Sequence, residues 1–214
     1  MDRGTNADER REAAVRLGLI STVMYRVVVA PLFATWAQHP RGPEDVVATQ
    51  FGPVHTSVVT AETSAAATPL GIGAATGIED LDRSFRTALI ALRLHDGGIA
   101  GSRADDFGGL AEILADLPDD RRDRGDQVTI ELVMVTSWGA ATIDALVRAG
   151  SIREAARFAN VHHSTMSDRV EIIASTVKFD PMNGIGRTRL GLAYLQWRLR
   201  TSRVLEFTPA VETI

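Results

Sequence analysis

Between Gly150 and Val177 the chain gathers His162, His163, Ser164, Thr165, Ser167, Asp168 and Arg169, seven side chains that donate or accept hydrogen bonds. Groups of this kind at the start of a helix suit the base edges of double-stranded DNA, which display a pattern of donors and acceptors in the major groove. Arg153, Arg157, Arg187 and Arg189 lie nearby in sequence and supply the charge that phosphates require. Metal chemistry is the alternative for the two histidines. Neighbours on a helix point about 100° apart, so His162 and His163 cannot both face one metal without a third ligand. A helix cap or a base contact is the preferred reading, and no catalytic residue, metal or cofactor is expected.

These residues need two helices and a tight turn to position them. Ser151 followed three residues later by Glu154 is a capping box, which starts a helix at Ile152. Ala155, Ala156 and Ala159 let a second helix cross closely. Asn160 tolerates the left-handed conformation of a helix-to-helix turn, and Val161 tucks that turn inward. The second helix is expected to begin at His162 or His163, with Val161, Met166, Val170, Ile173 and Val177 as its buried seam. Two helices and a turn also occur in any helical core, so the spacing alone does not distinguish a reading head from packing.

The composition sets bounds on the whole. With 214 residues and 45% hydrophobic content the chain can form two small domains or one large one. No window of eighteen apolar residues and no signal-peptide pattern is present, so neither membrane nor secretion is indicated and a cytoplasmic location is expected. Zero Cys excludes a disulfide framework, a thiol nucleophile and a cysteine zinc site. The net charge of −4 is unevenly spread: residues 1–137 hold 13 Lys+Arg against 20 Asp+Glu, net −7, and residues 138–214 hold 10 against 7, net +3. The basic excess thus coincides with the polar helix pair, as a phosphate-facing surface requires.

In chain order, residues 2–17 read as a charged, exposed helix. Tyr25–Ala30 is a central strand; Asp45–Thr49 and Thr56–Ala61 are two more, with Phe51–His55 as their connection; Pro69–Gly73 is a fourth. A helix over Ile78–Leu94 follows, with Leu81, Phe85, Ala88, Leu89 and Leu92 on its apolar face. Gly71, Gly73 and Gly77 before that helix could cradle a phosphate, yet a tight strand-to-helix turn is the better reading because no acidic residue follows a second strand at the right distance. Glu79, Asp80 and Asp82 suit the helix N-terminus. Residues 95–109 mark a domain edge, Leu110–Leu117 a short helix stopped by Pro118, and residues 119–126 a solvated linker. Gln127–Val135 is strand-like by propensity. Trp138–Arg148 and Arg187–Ser202 are helices flanking the central pair.

Two segments in register resemble one family. SIREAARFANVHHSTMSDRVEII is similar to the C-terminal helix-turn-helix of PucR/CdaR-type bacterial transcription regulators through Ser151, Ala155, Ala156, Val161, His162, Ser164, Thr165, Met166, Arg169 and Val170; the terminal helix continues it through Asp180, Pro181, Arg187, Leu190, Leu192, Ala193 and Leu199. Phe158, Ala159 and Asp168 depart from the family pattern, and a carboxylate at Asp168 repels phosphate. Upstream, Gly71, Ile72, Gly73, Gly77, Leu81, Ser84, Phe85, Ala88 and Ala91 resemble the degenerate GGDEF-like domain of the same family. No carboxylate pair stands in the expected hairpin turn to hold Mg²⁺, which argues against cyclase activity.

The resemblance implies an α+β chain: a lead-in helix over 1–21, a small α/β GGDEF-like domain over 22–104, a connecting helix and linker over 105–126, an all-α helix-turn-helix domain over 127–205 and a tail over 206–214. It favours a helix at 127–135. In the family a helix at the start links to an upstream sensor, which this chain is expected to lack. The implied protein is a non-enzymatic transcription regulator that binds double-stranded DNA as a homodimer and answers to an effector or a separate sensor. A nucleotide-binding or cyclase-type enzyme, and an interaction adaptor that has lost DNA binding, are the alternatives.

Overall fold

The computed structural model describes residues 6–96, 101–117 and 125–206. The chain divides into two compact units, Met1–Leu117 together with Ser202–Ile214, and Pro118–Thr201.

The first unit is built on β1 (Tyr25–Pro31), the middle strand of a five-stranded sheet of order β3-β4-β1-β6-β7. The others are β3 (Glu44–Thr49), β4 (Gly52–Thr60), β6 (Gly71–Ile72) and β7 (Ser102–Arg103). β1 runs antiparallel to β4 and β6, while β6 and β7 are parallel. A separate antiparallel ribbon joins β2 (Thr35–Gln38) to β5 (Ala66–Thr68). Because successive side chains on a strand point to opposite faces, the run Val27–Ala30 serves two cores at once. Val27 and Val29 join Leu81, Ala88 and Leu92 on one face; Val28 and Ala30 join Val59, Ala67, Leu70 and Ile72 on the other. Each buried valine contributes on the order of 1.5–3 kcal/mol, which explains why a continuous apolar strand lies at the centre.

Helix α2 (Leu81–Arg93), entered through a 3₁₀ turn at Ile78–Asp80, covers the first of these faces. The glycines before it are close-approach residues. A Cβ at Gly71 would lie 2.2 Å from the Ala88 carbonyl oxygen, and one at Gly73 2.0 Å from that of Ser84. Ser84 then joins strand to helix: its buried Oγ accepts from Val27 N at 2.8 Å and donates to the Ala74 carbonyl at 2.7 Å. Helix α1 (Ala7–Arg16), capped by Asn6 and Glu9, buries Ala14 beside this core and donates from Arg10 Nε to the Glu79 carbonyl at 2.8 Å.

Three expectations change. The β3–β4 connection is only Gln50–Phe51, since Thr49 faces Gly52 and Val46 faces His55 in the ladder; Val54 and His55 belong to the strand. Strands β2, β5 and β7 have too few residues to show a period of their own and exist through pairing. The expected boundary at residue 104 falls inside the first unit. β7 completes the sheet, and α3 (Gly109–Asp116) packs on α2 with ion pairs Arg83–Glu112 and Arg86–Asp116. Of the expected linker, residues 119–124 lie outside the described residues, and Val204 and Leu205, expected in the second domain, pack into the first core.

In the second unit the described residues form helices only: α4 (Asp126–Met134), α5 (Gly139–Arg148), α6 (Ile152–Phe158), α7 (His163–Val177) and α8 (Gly184–Thr201). One core holds Ile130, Val133, Ile143, Leu146, Ala155, Ala156, Met166, Val170, Ile173, Val177, Leu190 and Tyr194. The β-prone run at 127–135 is helical through Met134, with Val135 as its cap, because Ile130 and Val133, three apart, reach this core on one side of a helix.

Candidate nucleic-acid interface

The α6–α7 pair is shaped by local signals. Ser151 Oγ accepts from Glu154 N at 3.2 Å, while the Glu154 carboxylate reaches Gly150 N at 2.7 Å, one residue earlier than the Ser151 amide of the usual reciprocal cap. Asn160 takes φ 51°, the left-handed conformation expected of it, and Val161 N then bonds the Ala156 carbonyl at 2.9 Å. The chain thereby turns from α6 toward α7 within a few residues of Phe158. His162 caps α7: its Nδ1 accepts from Ser164 N at 3.4 Å and lies 2.8 Å from Ser164 Oγ.

Met166, Val170, Ile173 and Val177 are buried, and the opposite side of the first turns of α7 is open. His163, Ser164, Thr165 and Asp168 are exposed; Ser167 is half-buried, with its Oγ donating to the His163 carbonyl at 3.0 Å. The His162 and His163 rings lie 4.3 Å apart at a 51° tilt. A shallow groove of about 690 Å³ runs between the helices, lined by Ser151, Arg153, Glu154, Arg157, Val161, His162 and His163 among others. Arg153 and Arg157 are exposed at its rim, Arg157 in a loose 3.9 Å pair with Glu154.

The remaining three arginines have structural partners. Arg169 turns back to donate to Thr142 Oγ1 at 3.1 Å and lies 5.3 Å from the centre of the Trp138 ring, bracing α7 on α5. Arg187 is half-buried and donates to the Ala149 carbonyl at 2.7 Å, which fixes the end of α5. Arg189 makes a forked pair with Asp126 at 2.8 and 2.6 Å and stacks 4.0 Å from the Phe179 ring centre. Its hydrogen bond to Asp126 holds the guanidinium above the ordinary arginine range. Thus, of the eleven residues that the sequence assigns to the interface, seven are exposed on α6 and at the start of α7, Ser167 is half-buried there, and Arg169, Arg187 and Arg189 have partners within the helical unit.

No family model and no curated protein matches the chain. Among solved structures it is similar to the crystal structure of a regulator of polyketide synthase expression from Bifidobacterium adolescentis, 14% identical, with a TM-score of 0.37 over 93% of this chain and 94% of that one.

Proposed function

We propose that this protein is a sequence-specific, double-stranded-DNA-binding transcription regulator of PucR/CdaR type. The observation that carries the reading is the division of α7: Met166 and Val170 anchor the helix in the core while His163, Ser164, Thr165 and Asp168 are exposed on its other side. Side chains in the first turn of such a helix reach base edges when it enters the major groove. Arg153 and Arg157, exposed on α6, supply phosphate contacts, and Asp168 is a selective element that accepts from a cytosine amino group and repels a misplaced phosphate. The first unit acts as a non-catalytic GGDEF-like module for dimerisation or for relaying an effector signal. Its hairpin turn, Gln50–Phe51, has neither Asp nor Glu to hold a nucleotide-bound Mg²⁺.

Selection of bound sequences from random duplex DNA, followed by salt titration of the winning site, tests the proposal. A defined motif is expected, with a log-log salt slope of about −0.9 for each phosphate neutralised. Recovery of no motif, with no retardation of duplex DNA even at low salt, assigns the α6–α7 surface to protein contacts instead. The non-catalytic assignment is checked by incubating the protein with GTP and Mg²⁺: cyclic dinucleotide formation that disappears on substitution in the sheet would overturn it.

A further inference from the structure

Outside the helix pair, the structure assembles a second polar cluster that no motif announces. His39 follows directly on β2, Glu44 opens β3, and His55 lies in β4. Since Val46 faces His55 in the ladder, Glu44, two residues earlier, projects on the same side and meets His55 diagonally. The ligand atoms these three offer all lie within 4.8 Å of one another. We propose that His39, Glu44 and His55 form a binding site for one divalent transition-metal ion, with Zn²⁺ the best-suited occupant.

The spacings favour a cation over a hydrogen bond. Glu44 Oε2 is 3.8 Å from His39 Nε2 and 3.5 Å from His55 Nε2. Both separations exceed the usual N–H···O range of about 2.7–3.2 Å. They approach the edge of about 3.4 Å that tetrahedral coordination produces with bonds of about 2.0–2.1 Å. Two imidazoles with one carboxylate suit a borderline transition metal and disfavour Mg²⁺ or Ca²⁺, which take oxygen donors. With Glu44 half exposed and His39 nearly so, a fourth position is left to water.

Both histidines turn Nε2 toward Glu44, and His39 is also held for ligation. His39 Nδ1 lies 3.0 Å from the Pro40 carbonyl oxygen, so it carries the proton and Nε2 presents its lone pair, the outer-shell arrangement that metal-binding histidines adopt. His55 lacks such an outer-shell bond, its Nδ1 being buried with no hydrogen-bond partner among the described residues, so Nε2, facing Glu44, is the ring nitrogen available to an ion. Trp36 walls the cluster, its ring 4.5 Å from His39 and 5.5 Å from His55. The connection from His39 to Glu44 is itself held taut. Pro43 accepts from Val58 N at 2.8 Å, and a Cβ at Gly42 would lie 2.0 Å from the Val58 carbonyl oxygen, so only glycine lets this loop lie so close to β4. A bound ion would therefore fasten β2, β3 and β4 at one end of the unit.

Calorimetric titration of the full chain with ZnCl₂ tests the site, with MgCl₂ as the control ion and the H162A/H163A double variant controlling for the other histidine pair. One saturable Zn²⁺ per chain is expected, with no comparable Mg²⁺ binding and with H162A/H163A unchanged. H39A and H55A should each weaken Zn²⁺ binding by at least about 10-fold, the lower end of the loss on removing even an outer-shell partner. H39A leaves the sheet intact, so it carries the test should H55A fail to fold by circular dichroism. Zn²⁺ should also raise the melting temperature of the wild type and not of H39A. The proposal is overturned by the absence of saturable Zn²⁺ binding, by binding that survives both H39A and H55A, or by binding lost only in H162A/H163A. Neither result depends on whether the protein binds DNA.

Discussion

The two polar clusters of this protein are built in opposite ways. The α6–α7 surface comes from one contiguous stretch, with a cap at Ser151, a left-handed turn at Asn160 and a helix whose two sides differ in polarity. The His39–Glu44–His55 cluster comes from one connection and two strands, and exists only once β3 and β4 pair in one register. A slip of that register by one residue would send Glu44 and His55 to opposite faces. The difference teaches where precision resides. In the helical cluster, geometry follows from local propensity and the core need only hold α7 in place. In the strand cluster, geometry is inherited from the whole sheet.

The strongest test of this contrast is Val170→Asp. An uncompensated charge beneath α7 should cost about 3–5 kcal/mol and melt the helical unit, seen as loss of helical circular dichroism and of cooperative unfolding. A well-folded Val170→Asp protein would show that the seam is not the anchor. Gly73→Ala comes next and acts on the sheet unit alone: crowding the Ser84 carbonyl should cost about 1–3 kcal/mol, read as a lower denaturation midpoint. If the substitution proves neutral, the close approach of β6 to α2 does not require glycine there.

Smaller effects separate reading from folding within the helical unit. Thr165→Ala should lose about 1–3 kcal/mol of specific binding to the selected DNA site while leaving the melting temperature unchanged. Equal damage to stability would place Thr165 in the core and collapse the division of α7 on which the functional proposal rests. Smallest of all, Arg153→Ala and Arg157→Ala should each reduce the salt slope by about 1. Arg189→Ala should leave the slope alone, since its guanidinium is committed to Asp126. A reduced slope for Arg189→Ala at unchanged stability would return it to the phosphate-contacting set.

The amino-acid sequence alone determined the α+β character, the position of β1 and α2, and most of α6 and α7, because their signals are local: a continuous β-branched run, an apolar helical period, a capping pair and an Asn that accepts a positive φ. It also read Gly71 and Gly73 as a strand-to-helix turn, which the structure gives only for Gly73: Gly71 lies in β6, and the close contact of both with α2 needed the packed structure. Tertiary structure decided the rest. Residues 127–134 are helical despite their β propensity, since a common core rewards the helical spacing of Ile130 and Val133. The short strands β2, β5 and β7 form because partners stand ready for their backbone groups. Arginines that look alike in sequence part company for the same reason. Arg169, Arg187 and Arg189 find Thr142, Ala149 and Asp126 at separations of 27, 38 and 63 residues, whereas Arg153 and Arg157 remain at the surface. A hydrogen bond across such distances follows from the folded path of the chain, and no local pattern encodes it; the meeting of His39, Glu44 and His55 has the same origin.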